Sequence, residues 1–237
     1  MKKIFTRIDV WLFIAWSIFA YSLPAFDIWV SQLFFLDYFY LKENLLFDLV
    51  YEFFLYFGRI LPILMLLTLG YLYLKKETTN PQWRKKLSFL FLVLLIGPGI
   101  IANTFLKDNS LGRPRPKEIV EFNGTMNFVP AFTYSGECQD NCSFPSGHAA
   151  FAFYFISLAW VSKRRYLFTL GLTAGVLVGA TRVFQGYHFI SDIVFSFWIV
   201  YFTTIILSQM FNYRFKPYIA NSLFPRSISP ASALTAQ

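Results

Sequence analysis

Residues Tyr166–Phe211 read YLFTLGLTAGVLVGATRVFQGYHFISDIVFSFWIVYFTTIILSQMF. Two apolar runs, Tyr166–Phe184 and Ile190–Phe211, stand either side of a short link, and Arg182, His188 and Asp192 gather around that link. A helix needs about 17–25 mostly apolar residues to cross the hydrocarbon core of a bilayer. The stretch therefore reads as two spanning helices joined at one membrane surface. The same criterion predicts four further spans, at Val10–Phe26, Phe53–Leu74, Leu87–Leu106 and Ala149–Val161, the last beginning near Ser146. Asp27–Tyr51 mixes aromatic and acidic residues and reads as interfacial, not spanning. The expected fold is all-α, an integral-membrane bundle of six transmembrane helices.

Composition agrees. Of 237 residues, 56% are hydrophobic and only 14% charged, too little charge to cover a soluble domain of this length. Residues 1–215 read as one domain and 216–237, rich in Ser, Ala and Pro, as a weakly ordered tail. Met1–Arg7 followed by an apolar run has the outline of a signal peptide. Trp11, Trp16 and the missing small-residue cleavage pattern instead favour a retained first helix.

The net charge of +8 raises nucleic acid as a partner, but the basic residues cluster beside apolar segments and line no single amphipathic face. Membrane topology explains them. With the N-terminus cytoplasmic, the inner side collects Lys2, Lys3, Arg7, Lys75, Lys76, Arg84, Lys85, Lys86, Lys163, Arg164, Arg165, Arg214, Lys216 and Arg226, against only Asp9 and Glu77. This is a positive-inside pattern with both termini cytoplasmic.

That topology brings three distant segments to the outer face. They are Lys107-Asp-Asn-Ser-Leu-Gly-Arg113-Pro-Arg115-Pro116, Ser143-Phe-Pro145-Ser146-Gly147-His148, and Thr181-Arg182-Val-Phe-Gln-Gly-Tyr-His188-Phe-Ile-Ser-Asp192. His188 and Asp192 are four apart, so on a helix they share a face. A carboxylate bonded to one ring nitrogen fixes the tautomer and leaves the other free to attack phosphorus. A polar pair at a helix end is the plainer alternative. Ser146 suits an N-cap, the helix start after it favours a phosphate, and Gly147 permits close backbone approach. His148 in the first turn can serve as a general acid. The chain has two histidines, and both fall in these segments. Lys107, Arg113, Arg115 and Arg182 supply cations for phosphate oxygens; a basic cluster holding anionic headgroups is the competing reading.

Together the three segments resemble the signature of the type 2 phosphatidic acid phosphatase superfamily: a Lys–Arg-Pro motif, a Pro-Ser-Gly-His motif and a Ser-Arg…His…Asp motif. The resemblance covers Lys107 to Asp192 in motifs and the whole chain in its span layout. It implies His188 as nucleophile, Asp192 as its orienting partner and His148 as general acid. It implies that Lys107, an Arg-Pro arginine, Ser146, Gly147 and Arg182 hold the phosphate, with no metal and no cofactor. The absence from the sequence of a cluster at zinc-ligand spacing is consistent with that. Two departures stand out. The family places six residues between Lys and Arg-Pro, whereas five separate Lys107 from Arg113 and seven separate it from Arg115. The ending Gly-Arg-Pro-Arg-Pro assigns the role to Arg115, with an insertion after Lys107 and Arg113 as a second candidate. Thr181 stands where the family usually has Ser.

Cys138 and Cys142 are the only cysteines. On a periplasmic face they can close a small disulfide before Ser146. The loop words around them, with Val120–Gly124 and Gln185–Asp192, resemble the bacterial lipid A 4′-phosphatases of the superfamily. That implies a bacterial inner-membrane protein, set in a phospholipid bilayer, removing the 4′-phosphate monoester from lipid A at the periplasmic face. Undecaprenyl pyrophosphate, phosphatidylglycerol phosphate, lipid A 1-phosphate and phosphatidic acid remain alternative substrates. A non-catalytic lipid-phosphate binder or transporter is the alternative of another class. No oligomeric assembly is read from the sequence.

Overall fold

A computed structural model describes residues 7–77, 80–107, 111–213 and 215. Lys2, Lys3, Arg214, Lys216, Arg226, the tail 216–237 and the expected insertion after Lys107 lie outside the described residues. All regular structure among these residues is helical, apart from two isolated bridges.

Helices α1 (Ile8–Ser22) and α2 (Ala25–Gln32) form a pair bent by 82°. The first predicted span, Val10–Phe26, therefore breaks where Pro24 removes a backbone donor. Helix α3 (Leu45–Leu74) begins at Leu45 and not at Phe53, because Asn44 caps it by accepting from the N–H groups of Leu46 and Phe47. Its 30 residues extend about 45 Å, more than the hydrocarbon core. Helix α4 (Pro81–Leu94) starts on the Asn80 cap and continues as a π-helical segment, Leu95–Lys107. That segment contains Pro98. The Asn103 side chain donates to the Pro98 carbonyl (2.9 Å) and Thr104 to that of Gly99 (3.2 Å), each five residues back.

After a loop with two short 3₁₀ turns, Pro116–Glu118 and Val120–Phe122, helix α5 (Gly147–Phe153) passes through a 3₁₀ stretch into α6 (Leu158–Ser162). Helices α7 (Arg165–Phe184) and α8 (Ile190–Met210) complete the bundle. By length and composition α3, Pro81–Lys107, α7 and α8 can each cross a membrane, and α1 with α2 would make a fifth span. Gly147–Ser162 is shorter than a span. It is the buried centre of the molecule: Ala149, Ala150, Ala152 and Ile156 are fully covered. Helix α7 packs closely against it through glycines four apart. A Cβ at Gly171 would lie 2.4 Å from the Ile156 nitrogen, and one at Gly175 would lie 2.0 Å from the Phe153 ring. Small residues at this spacing are how spanning helices bring their backbones together.

Candidate active site

The link between α7 and α8 is built around Gly186, whose φ is +70°. A Cβ there would stand 2.4 Å from the Phe39 ring, so only glycine lets this turn dock on the aromatic cluster of Phe35, Phe39 and Phe122. The turn directs Tyr187 and His188 into a pocket of about 320 Å³. Lys107, Arg115, Asn141, His148 and Arg182 also line it, with Asp48, Tyr51 and Glu52 from the start of α3.

His188 is buried. Its Nδ1 lies 2.7 Å from the Ser143 carbonyl oxygen and 3.5 Å from Asp192 Oδ2. A carbonyl only accepts, so Nδ1 carries the proton and Nε2 keeps its lone pair. Burial pushes the His188 imidazole down to about 4; Asp192 opposes that shift, and Lys107 and Arg115 add to it. The ring is neutral at ordinary pH, the state an attacking nitrogen requires.

Asp192 contributes less through His188 than through what surrounds it. Its Oδ2 accepts from Ser143 Oγ (2.5 Å) and the Phe189 N–H (2.9 Å), and its Oδ1 from Arg113 Nη1 (2.5 Å). The carboxylate thus anchors Ser143, whose carbonyl in turn orients His188. This refines the direct pairing expected from the i, i+4 spacing.

Arg113 lies elsewhere than expected. It is buried with 1% exposure, and its Nη2 donates to Asp27 Oδ2 (2.7 Å), its Nη1 to Ser191 Oγ (2.9 Å) and its Nε to the Val129 carbonyl (2.8 Å). Phe189 covers the guanidinium face at 4.2 Å. Arg113 joins two carboxylates inside the fold and does not line this pocket. Arg115 does line it. Its Nε and Nη2 donate to the Asn141 carbonyl (3.1 and 2.8 Å). Asn141 sits inside the small loop closed by the Cys138–Cys142 disulfide, so the loop braces the arginine.

Arg182 is held between aromatic faces, 4.1 Å from the Tyr187 ring centre and 4.5 Å from that of Tyr51. Its Nη1 donates to Gln185 Oε1 (2.7 Å), and Gln185 Nε2 donates to Asp48 Oδ1 (2.9 Å). His148 packs on Tyr51 with ring centres 4.6 Å apart. Among the described residues, Arg182 Nε and His148 Nε2 are buried and have no hydrogen-bond partner. Buried polar atoms without partners are rare in folded proteins, and both belong to side chains that line this pocket.

Ser146 and Gly147 do not line it. Ser146 caps α5, its Oγ accepting from the Ala149 N–H at 3.4 Å, and its N–H donates to Ser196 Oγ on α8 at 3.0 Å. A Cβ on Gly147 would lie 2.1 Å from Asn103 Oδ1, so this glycine admits the π-helical segment that ends in Lys107. Sequence reasoning missed Asp27, Tyr51, Asn141 and the role of Ser143. Only Asp27 had a local signal, as an acidic residue beside an apolar run.

Two imidazoles and three cations line one pocket in an all-helical bundle whose long helices are apolar enough to cross a membrane. The profile of the PAP2 superfamily matches residues 85–216, and the chain belongs to that superfamily. It is 37% identical over 172 residues to a lipid A 4′-phosphatase of Francisella tularensis subsp. novicida, covering 69% of this chain and 76% of that protein. A lipid A 4′-phosphatase of Rhizobium leguminosarum is 34% identical over 199 residues, covering 76% and 85% respectively. A solved transmembrane PAP2 type phosphatidylglycerolphosphate phosphatase from Bacillus subtilis overlaps 86% of this chain and 95% of its own, with a TM-score of 0.45 and 17% identity.

Proposed function

We propose that this chain is a lipid phosphate phosphatase that removes the 4′-phosphate of lipid A. His188 Nε2 attacks phosphorus in line, a P–N bond forms as the P–O bond to the lipid breaks, and His148 protonates the departing oxygen. Water, deprotonated by His148, then attacks phosphorus, and the P–N bond breaks to release phosphate. Lys107, Arg115 and Arg182 hold the phosphoryl oxygens and stabilise the charge of the pentacoordinate state. The roles expected for Ser146 and Gly147 become indirect, through the cap and the close approach of Asn103.

The single observation that carries this reading is the bare Nε2 of His188 in a pocket with His148 and three cations. The relatives named lipid A 4′-phosphatase support the choice of lipid. The positive-inside charge pattern supports six spans in residues 1–215, cytoplasmic termini and a pocket on the periplasmic face of a bacterial inner membrane.

The test is incubation of purified protein with lipid A, undecaprenyl pyrophosphate, phosphatidylglycerol phosphate and phosphatidic acid, following released phosphate and lipid mass. Loss of 4′-phosphate from lipid A, abolished in a folded His188→Ala variant, is the expected result. Turnover that survives in His188→Ala would refute the mechanism.

A further inference from the structure

Arg59 stands within the apolar run of α3 and joins none of the ion pairs found among the described residues. An ionisable group at membrane depth is costly and marks a functional position by default. Arg59 lines a second cavity, of about 550 Å³, which shares Tyr51, Lys107, Asn141 and His148 with the phosphate pocket. The two are therefore adjacent. Along α3 the wall of this cavity is Tyr51, Phe54, Leu55, Gly58, Arg59 and Pro62, spacings that place them on one helical face. Arg59 is two turns beyond Tyr51, about 12 Å along the axis.

The opposite wall is the end of α4 with its π-helical extension. Asn103 lies near the phosphate pocket, and Leu94 and Leu95 lie at the far end. Moving away from His148, a ligand meets Asn103, then Arg59, then an apolar end. That order matches a lipid read from headgroup through acyl linkage to chain.

We propose that Arg59 binds the carbonyl oxygens of the acyl linkages of the lipid whose phosphate enters the neighbouring pocket, and so selects acyl over alkyl lipids. The inference rests on the lipid-phosphatase reading above. The phosphate pocket gathers three cations, whereas beyond the shared residues this cavity is lined by one cation, Arg59, with Asn103 and otherwise apolar residues. A guanidinium with five N–H donors can bond more than one carbonyl oxygen at once, and the apolar walls around Arg59 suit the chains that follow those carbonyls.

The experiment measures binding of dioleoyl phosphatidic acid and of its dialkyl ether analogue, which lacks the carbonyls. Full-length protein carrying His188→Ala prevents turnover, and Arg59 is kept or changed to Met or Lys. With Arg59 present the ester lipid binds about tenfold tighter than the ether, the scale of a charge-assisted hydrogen bond. With Arg59→Met the ratio falls to one while ether binding is unchanged, and Arg59→Lys keeps part of the preference. Equal binding of the two lipids to Arg59 protein, a preference that persists in Arg59→Met, loss of both lipids in Arg59→Met, or binding of neither lipid overturns the inference. Phosphate release from the lipid panel, measured with His188 intact, tests the underlying reading separately.

Discussion

His188 and Ser143, 45 positions apart in the chain, meet through the ring Nδ1 and a main-chain carbonyl oxygen at 2.7 Å. This contact, and not the longer approach to Asp192, sets the tautomer of the imidazole. Asp192 reaches the ring by holding Ser143 Oγ at 2.5 Å. Replacing Ser143 by Ala keeps the carbonyl but frees its anchor. We expect kcat for lipid phosphate release to fall about tenfold with KM little changed, the worth of one hydrogen bond to a charged group. Steady-state kinetics of Ser143→Ala would check this; an unchanged kcat would show that the anchor is dispensable.

The acid limb of the pH profile reports His188. Below its pKa the imidazole holds a second proton on Nε2 and cannot attack. Because burial brings that pKa down to about 4, the loss of kcat/KM that comes from protonating His188 should set in only as pH passes through about 4. An ordinary histidine would lose activity around 6.5. Phosphate release measured across this range distinguishes the two.

Arg113 and Arg115 should separate by phenotype. Arg113→Ala leaves Asp27 and Asp192 buried without their cation, a change expected to cost about 3–5 kcal/mol of stability. Arg115→Ala should leave the thermal midpoint near that of the parent and raise KM for the lipid phosphate. Thermal unfolding in detergent alongside kinetics reads both. Equal destabilisation by the two substitutions would contradict the assignment.

The Cys138–Cys142 bridge closes a loop small enough that its loss should cost about 2 kcal/mol. Its larger effect should fall on the pocket, because Asn141 within the loop supplies the carbonyl that holds Arg115. Reduction, or Cys138→Ser with Cys142→Ser, should raise KM while the helical content by circular dichroism stays constant.

Covalent order alone decides a good deal here. Runs of apolar residues select helices of spanning length. The linear separation of three polar segments by those runs brings Lys107, Arg115, His148, Arg182 and His188 to one end of the bundle. These features are legible because they depend on local composition and on helical period. Packing decides the rest. Arg113 and Arg115 are two residues apart with similar neighbours in sequence, yet one is committed to Asp27 and Asp192 and the other to the pocket. Asp27 is 86 positions from its arginine, and no periodicity reports a pairing at that distance. The acceptors that orient His188 and Arg115 are main-chain carbonyls of Ser143 and Asn141. Every residue carries such an oxygen, so side-chain identity gives no sign of which one will be used. Only the folded backbone turns those two toward their donors.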